Sequence, residues 1–463
     1  MHVAIVGGGP GGLMTAYLLR RQAGRPFQLT LFESTDRLGG KVLTPRFSTR
    51  PVSYEAGAAE FYDYSQIDSD PLKELVAELG LSIAPMGGNC VFLSGRRYST
   101  TDDVAEGLGA AAECGWLEFH ERAQGRISPR EFYESDNSEF TQTSHLSTAL
   151  PGSERFLKER QQLRSQPLQT FLETLIHSDL AAEWEQTSVE YGLQNYLMND
   201  PRYMRLYSIA GGNEQLTEQL AARTEMTVHL GHRVRSVERS SQGLLRLQTE
   251  SACGISEQNF DVVVFCLPIL ALTAVDFRGE TLALAITRHL RQHDHPAHYL
   301  RVTLLFQRPF WKSWLVDSWC MLDAWGGCCL YDETARQPGE DCGILGWLFG
   351  GAAAVELDSM TDEQLIETAI RTLPQDHDLA RSLLIEGRVH RWIAAVSALP
   401  GGERPTRLDL RHQPEPVNHP GLFVVGDYLF DSTLNGVLDS ATCVAEWVAA
   451  EMEQQSMLPV PVE

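Results

Sequence analysis

The chain has 463 residues, of which 43 % are apolar and 21 % charged, and a formal net charge of -23. This length exceeds the usual single domain, so two domains, interleaved or consecutive, are expected. The acidic balance excludes a nucleic-acid or anionic-membrane surface, because phosphates would be repelled over most of the exterior.

His2–Val6 is a short apolar run suited to a buried parallel strand, and Leu13–Arg20 has helical periodicity. GGGPGG lies between them. Phe27–Phe32 reads as a second strand ending at Glu33, so the opening predicts a βαβ unit with a right-handed crossover. Pro71–Leu81 reads as a helix begun by proline and stopped by Gly80, and residues 91–98 as a hairpin with a Ser-Gly turn. From about residue 100 to 200 the pattern is amphipathic and helical. Strand character returns in MTVHLGHRVRSVERS, LLRLQTES and Phe260–Pro268, the last apolar enough to be covered on both faces. A second excursion, from about 275 to 388, carries YLRVTLLFQRPFW, GILGWLFGG and the helix TDEQLIETAIRTL. GLFVVGDYL and NGVLDSATCVAEWVAAEM then give a last strand, glycine turn and helix.

Nine cysteines, among them Cys90, Cys114, Cys253, Cys328 and Cys329, show neither CxxC spacing nor the density of a disulfide scaffold, which fits reduced thiols. No basic and apolar leader precedes Val3, and CVAEWVAAEMEQQSM is too short and polar to span a bilayer. A cytoplasmic protein without a membrane span is expected.

Gly7, Gly9 and Gly12 fit G-x-G-x-x-G between a strand and a helix, where backbone can approach a pyrophosphate and the helix N-terminus faces negative charge; Pro10 and Gly11 complete the turn. Glu33 lies 21 residues after Gly12, placed to accept ribose hydroxyls. This much describes the ADP half shared by NAD and FAD. The stretch ESTDRLGGKV then places Ser34, Arg37, Gly39, Gly40 and Lys41 directly after the acidic residue, a second glycine turn for which a nicotinamide enzyme has no evident need.

On these residues the chain resembles the flavin-containing amine oxidase family, which includes monoamine and L-amino acid oxidases and related protoporphyrinogen and carotenoid oxidases. The resemblance extends to YEAGAAEF, with Gly57 and Ala58 beside the flavin ring; to SIAGGNEQLTEQLA; to Val234, whose backbone would bond adenine; and to GLFVVGDY with NGVLDSA, giving Gly426, Asp427, Gly436 and Val437. Ser440 departs from the family's usual glycine, which puts the packing of that helix in question. The resemblance implies an α/β fold: a Rossmann-type FAD-binding domain of the GR2 type (1–90, 205–275, 389–455) interleaved with a mixed α+β substrate-binding domain (91–204, mainly helical, and 276–388), and a tail (456–463).

The implied activity is transfer of a hydride from a carbon bearing nitrogen to flavin N5, with O2 or another acceptor reoxidising the flavin. Arg301 stands where the family has a lysine; its planar fork suits a carboxylate, a carbonyl or the flavin edge, and pairing with a surface acid is the plain alternative. Glu60 is placed to hold an ammonium or take its proton, the alternative being a pair with local backbone or with Arg301 itself. Together the two would clamp a zwitterion. Phe61, His298 and Trp392 are candidate substrate neighbours. Val437 stands where the family carries a cage aromatic, and WIAAVSALPGG offers neither tyrosine nor cysteine, which disfavours a simple monoamine oxidase and implies noncovalent FAD. His293, His295 and His298 crowd together without zinc spacing and read as a solvated loop, so no metal is expected. The expected partner is a small amine or amino-acid-like substrate, with a homodimer allowed. The rivals are oxidation of a C–C bond, which would favour a wholly apolar cavity, and a flavin-binding protein without turnover.

Overall fold

Strands that are apolar on both faces need cover on both, and the first sheet has it. The computed structural model describes residues 1–88, 90–136, 156–336, 341–398, 411–430 and 432–457. His2–Val6 pairs in parallel with Gln28–Phe32 and Val262–Phe265, and Thr227–His229 and Leu422–Val424 complete a five-stranded sheet. Val3, Ile5, Leu29, Leu31 and Val264 point to one face, where the helices Pro10–Gln22 and Leu434–Met457 bury Leu13, Met14, Ala441, Val444 and Val448 against them. Ala4, Val6, Phe32, Val263 and Phe265 point to the other, against Val237, Leu247, Leu282 and Ile286. Each such aliphatic side chain contributes on the order of 1.5–3 kcal/mol when fully buried. The three layers are the expected Rossmann-type arrangement, and the other cover is a four-stranded sheet of Arg233–Arg239, Leu245–Ser251, Gly254–Phe260 and Asp276–Phe277.

The predicted hairpin forms from Cys90–Leu93 and Arg96–Tyr98. It joins a seven-stranded sheet with Leu384–Ser397, Pro296–Phe306, Gly343–Gly350, Cys328–Asp332 and Trp319–Leu322. Helices between Thr101 and Leu197, including Gln166–Leu180 and Val189–Leu197, pack over it. A small sheet of Phe61–Asp63, Arg205–Ile209 and Ile83–Met86 links the two halves.

Two expected boundaries shift. The division at 388/389 falls inside Leu384–Ser397, which runs unbroken along Pro296–Phe306. The second excursion begins after Phe277 rather than at 276, because Asp276–Phe277 pairs with Arg233–Arg239. The tail beyond Met457 lies outside the described residues.

Candidate active site

The two glycine turns touch. Gly39 N donates to Gly8 O at 2.8 Å, and Gly40 sits at φ +54° with its absent Cβ only 2.9 Å from Gly9 Cα. A side chain at Gly12 would collide with the Gly7 carbonyl oxygen, so that glycine sets how closely helix and strand pack. Arg37 donates to the carbonyls of Leu38 and Gly40 and pairs with Glu214 at 3.6 Å, splinting the second turn from behind. Glu33 Oε2 accepts from Gly8 N at 2.8 Å, while its Oε1 accepts from Thr35 N and Thr35 Oγ1, both at 2.8 Å. The acidic residue thus pins the first turn as well as facing the cleft. Lys41 donates to Ala395 O.

Ser440 resolves the question its departure raised. Its side chain is fully buried, and Oγ accepts from Gly426 N at 3.2 Å and lies 3.1 Å from His412 Nε2. The hydroxyl fastens the Gly426 turn to the last helix, a bond a glycine lacks.

One continuous cleft of about 390 Å³ runs from these turns into the seven-stranded sheet. Its nucleotide end is lined by Gly7, Gly9, Pro10, Gly11, Glu33, Ser34, Gly40, Lys41, Gly57, Ala58, Gly426, Asp427 and Val437. Gly12, Arg37, Gly39, Val234, Gly436 and His298 stand outside the lining: Val234 is buried behind Phe32, and His298 Nδ1 accepts from Ala394 N at 3.0 Å. The helices beginning at Pro10 and Leu434 both present their N-termini to the cleft, a combination suited to a pyrophosphate. With the cradle of glycines that a Cβ would fill, this end fits FAD.

At the far end stand Glu60, Phe61, Tyr62, Tyr299, Arg301, Leu348 and Trp392. Residues two apart on a strand share a face, so Tyr299 accompanies Arg301, and cross-strand register sets Tyr299 opposite Trp392. Trp392 Nε1 donates to Ala56 O at 2.6 Å. Phe61 stacks on Tyr207, with centroids 5.3 Å apart, and is mainly core. Tyr62 and Tyr299 escaped the sequence reading, although the period of two from Glu60 and Arg301 marks them.

Arg301 is fully buried and pairs with Glu333, itself 1 % exposed, rather than with a surface acid. It lies over the Tyr331 ring at 5.1 Å, and its Nε and Nη1 have no partner. Burial opposes its charge, yet Glu333, Tyr331 and Glu60 hold it protonated. Glu333 Oε2 accepts from Glu55 N at 2.9 Å, and Glu55 pairs with Arg336 at 3.4 Å. Burial pushes the Glu55 carboxyl up to about 7, with Arg336 opposing. Glu60 bonds neither local backbone nor Arg301: Tyr331 Oη donates to its Oε1 at 3.1 Å, and Oε2 has no partner. Burial raises its pKa against the pull of Arg301.

The histidine stretch is not a solvated loop. His293 caps the helix Glu280–Gln292, its ring 4.7 Å from His289 and 5.4 Å from Tyr428, and burial pushes it down to about 4. His298 lies within the strand Pro296–Phe306. Among the described residues no group of three His, Cys, Asp or Glu is placed to hold a metal, and no helix is long and apolar enough to cross a membrane.

The cyclohexylamine oxidase of Brevibacterium oxydans IH-35A is similar in fold, with a TM-score of 0.71 at 18 % identity over 98 % of this chain and 99 % of that one. A bovine (Bos taurus) prenylcysteine oxidase 1-like protein is 24 % identical over 287 residues, 58 % of this chain and 56 % of its own length. A coproporphyrinogen III oxidase of Mycobacterium tuberculosis (strain ATCC 25618 / H37Rv) is 41 % identical over 78 residues, 17 % of this chain and 16 % of its own. The chain thus spans about half or less of these curated relatives. The family model for flavin containing amine oxidoreductase matches residues 10–449. With that match across nearly its whole length, the chain belongs to the flavin-containing amine oxidoreductase family and binds FAD.

Proposed function

We propose that this protein oxidises the C–N bond of a small amine or amino-acid-like substrate, the flavin being reoxidised by O2. The observation that carries this reading is the charge of the buried far end. Glu55, Glu60 and Glu333 stand with Arg301 and Arg336, one carboxyl more than there are guanidinium groups; Glu60 Oε2 has no partner, and burial raises the pKa of Glu60, so an ammonium can enter as its missing donor. A site for an uncharged polyene needs no spare buried carboxyl, which is costly to leave unpaired, and the anionic propionates of a porphyrinogen would be repelled by one. The fold shared with the cyclohexylamine oxidase accords with the amine reading.

FAD, held by Gly7, Gly9, Gly11, Gly40, Gly426 and the two helix N-termini, supplies a hydride acceptor beside the carbon to be oxidised. The chain's own residues prepare the substrate. An ammonium must lose a proton before its carbon gives up a hydride, and Glu60, with a raised pKa and an unpartnered oxygen, is a base matched to that task. Tyr331 holds Glu60 in place. Tyr62, Tyr299 and Trp392 exclude water and wall the amine in. Arg301 offers Nε and Nη1 to a substrate carboxylate or carbonyl while Glu333 fixes its position. Stopped-flow anaerobic mixing with amines and amino acids tests the reading: loss of flavin absorbance is expected with an amine, and bleaching only by amine-free substrates overturns it.

A further inference from the structure

Glu60 faces two spaces. Besides the main cleft it borders a smaller pocket of about 30 Å³, whose other walls include Tyr62, Asp179, Asn199, Trp319 and Tyr331. An ordered water needs about 10–15 Å³ and roughly two to four polar partners. The pocket supplies both. Glu60 Oε2 and Trp319 Nε1 are buried without a protein partner. Asp179, from the helix Gln166–Leu180, accepts from Asn199 Nδ2 at 3.2 Å on one oxygen. An indole N–H only donates and a carboxylate only accepts, so a group that does both is what joins them.

The two carboxyls are unequal. Burial raises Glu60, but Arg301 and Arg336 draw it toward its charged form, and Tyr331 Oη donates to it at 3.1 Å. Asp179 has the Asn199 amide, and among the described residues no Lys, Arg or His pairs with it. Burial pushes it up to about 7, with Asn199 opposing and Glu60 adding to the rise. Two neighbouring carboxyls in a dry interior resist ionising together, so one proton stays with the pair, and these surroundings favour Asp179 as its holder. The other groups around them do not exchange protons in this range. Burial raises Tyr62, Tyr299, Tyr331 and Cys329 well above their ordinary values, and Glu333 is committed to Arg301.

We propose that Glu60 and Asp179 share one proton across a water in this pocket, with the proton resting on Asp179 so that Glu60 meets an incoming ammonium ionised. The water accepts from Trp319 Nε1 and from the Asp179 carboxyl and donates to Glu60 Oε2. A carboxylate oxygen accepts from more than one side, so Oε2 keeps a lone pair for an ammonium in the cleft. One N–H bond of the ammonium then breaks as an O–H bond forms on Glu60. The electron pair stays on nitrogen, and the two carboxyls end with two protons and no charge. Asp179 does not touch the substrate and acts through Glu60. The inference rests on the amine reading above and adds what keeps its base ionised.

The test is an infrared titration of the FAD-loaded protein without substrate. Isotope-labelled aspartate separates the aspartic from the glutamic C=O stretches, and Asp179→Asn and Glu60→Gln assign the two bands. Glu60 is expected to ionise at lower pH than Asp179, with the steps about one unit or more apart. In Glu60→Gln the Asp179 step is expected to fall by about one unit or more, because the neighbouring charge is gone. Anaerobic reduction by an amine reads the same coupling from the other side. In Asp179→Leu, which cannot donate, the rising limb of the pH profile moves up by about one unit, and in Asp179→Asn, whose amide donates, it returns to the wild-type position. A purely structural role for Asp179 would lower the rate and leave the limb in place. Asp179 ionising before Glu60, an Asp179 step unmoved in Glu60→Gln, or an unmoved limb in Asp179→Leu overturns the shared proton. If no amine reduces the flavin, the amine reading fails by itself, while the infrared titration still decides the pair.

Discussion

Replacing Arg301 by methionine is expected to do two separable things. The guanidinium is fully buried and is the ion-pair partner of Glu333, which is 1 % exposed, so its removal leaves a carboxylate in the interior with only the Glu55 amide as donor. Breaking a buried pair from one side costs about 3–5 kcal/mol, mostly because the remaining charge is uncompensated. The double variant Arg301→Met/Glu333→Gln removes that charge while keeping an oxygen for Glu55 N, and is expected to regain at least half of the loss. Denaturant midpoints of wild type, both singles and the double form the cycle. Flavin content should be retained throughout, since Arg301 lies at the far end from the glycine turns, while substrate reduction is lost in both variants lacking it. Arg301 also pulls the Glu60 pKa down, so any residual reduction shifts its pH dependence upward. If the double is as unstable as Arg301→Met, or if reduction kinetics are unchanged, the reasoning is wrong.

Three other outcomes follow from the geometry. Gly40→Val places a branched side chain at φ +54° against Gly9, so the purified variant is expected to be colourless and to regain no flavin on titration with FAD. Ser440→Ala leaves Gly426 N without its acceptor at a cost of about 1–3 kcal/mol, read as roughly five- to hundredfold weaker FAD retention on dialysis. In Glu55 and Asp179 the folded state holds protons that the unfolded chain releases, both carboxyls being raised to about 7. Their contribution to stability is therefore full below the unfolded carboxyl pKa of about 4 and lost as pH rises through about 7, and the substitutions Glu55→Gln and Asp179→Asn should flatten the decline in denaturant midpoint between about pH 4 and 7.5.

What the sequence shows depends on how local the cause is. The paired glycine turns were legible because a tight turn, a helix start and an acidic residue after a strand are all written within residues 2–41. Their contact, Gly39 to Gly8, follows from both reaching for one ligand. Glu60 and Arg301 could be singled out by resemblance, yet their partners could not: Tyr331 and Glu333 lie on neighbouring structure far along the chain, and Asp179 arrives from an amphipathic helix whose pattern does not mark which turn faces inward. Tyr62 and Tyr299 were within reach of strand periodicity alone. His293 caps the adjacent helix Glu280–Gln292, but its burial against the Tyr428 ring depends on a segment over a hundred residues away, which local sequence does not show. The boundary near 388 was misplaced because LIEGRVHRWIAAVS mixes polar and apolar residues, although it forms one long strand.

The account turns on Glu60 taking a proton from an amine. The most direct measurement is the anaerobic rate of flavin reduction by an active amine across pH, in wild type and Glu60→Gln. The account predicts a wild-type rate that rises as the Glu60 carboxyl ionises, above the ordinary carboxylate range, and a Glu60→Gln protein that holds FAD, reduces at least a hundredfold more slowly and loses that rise. A Glu60→Gln protein that is reduced as fast as wild type with the same pH profile would contradict it.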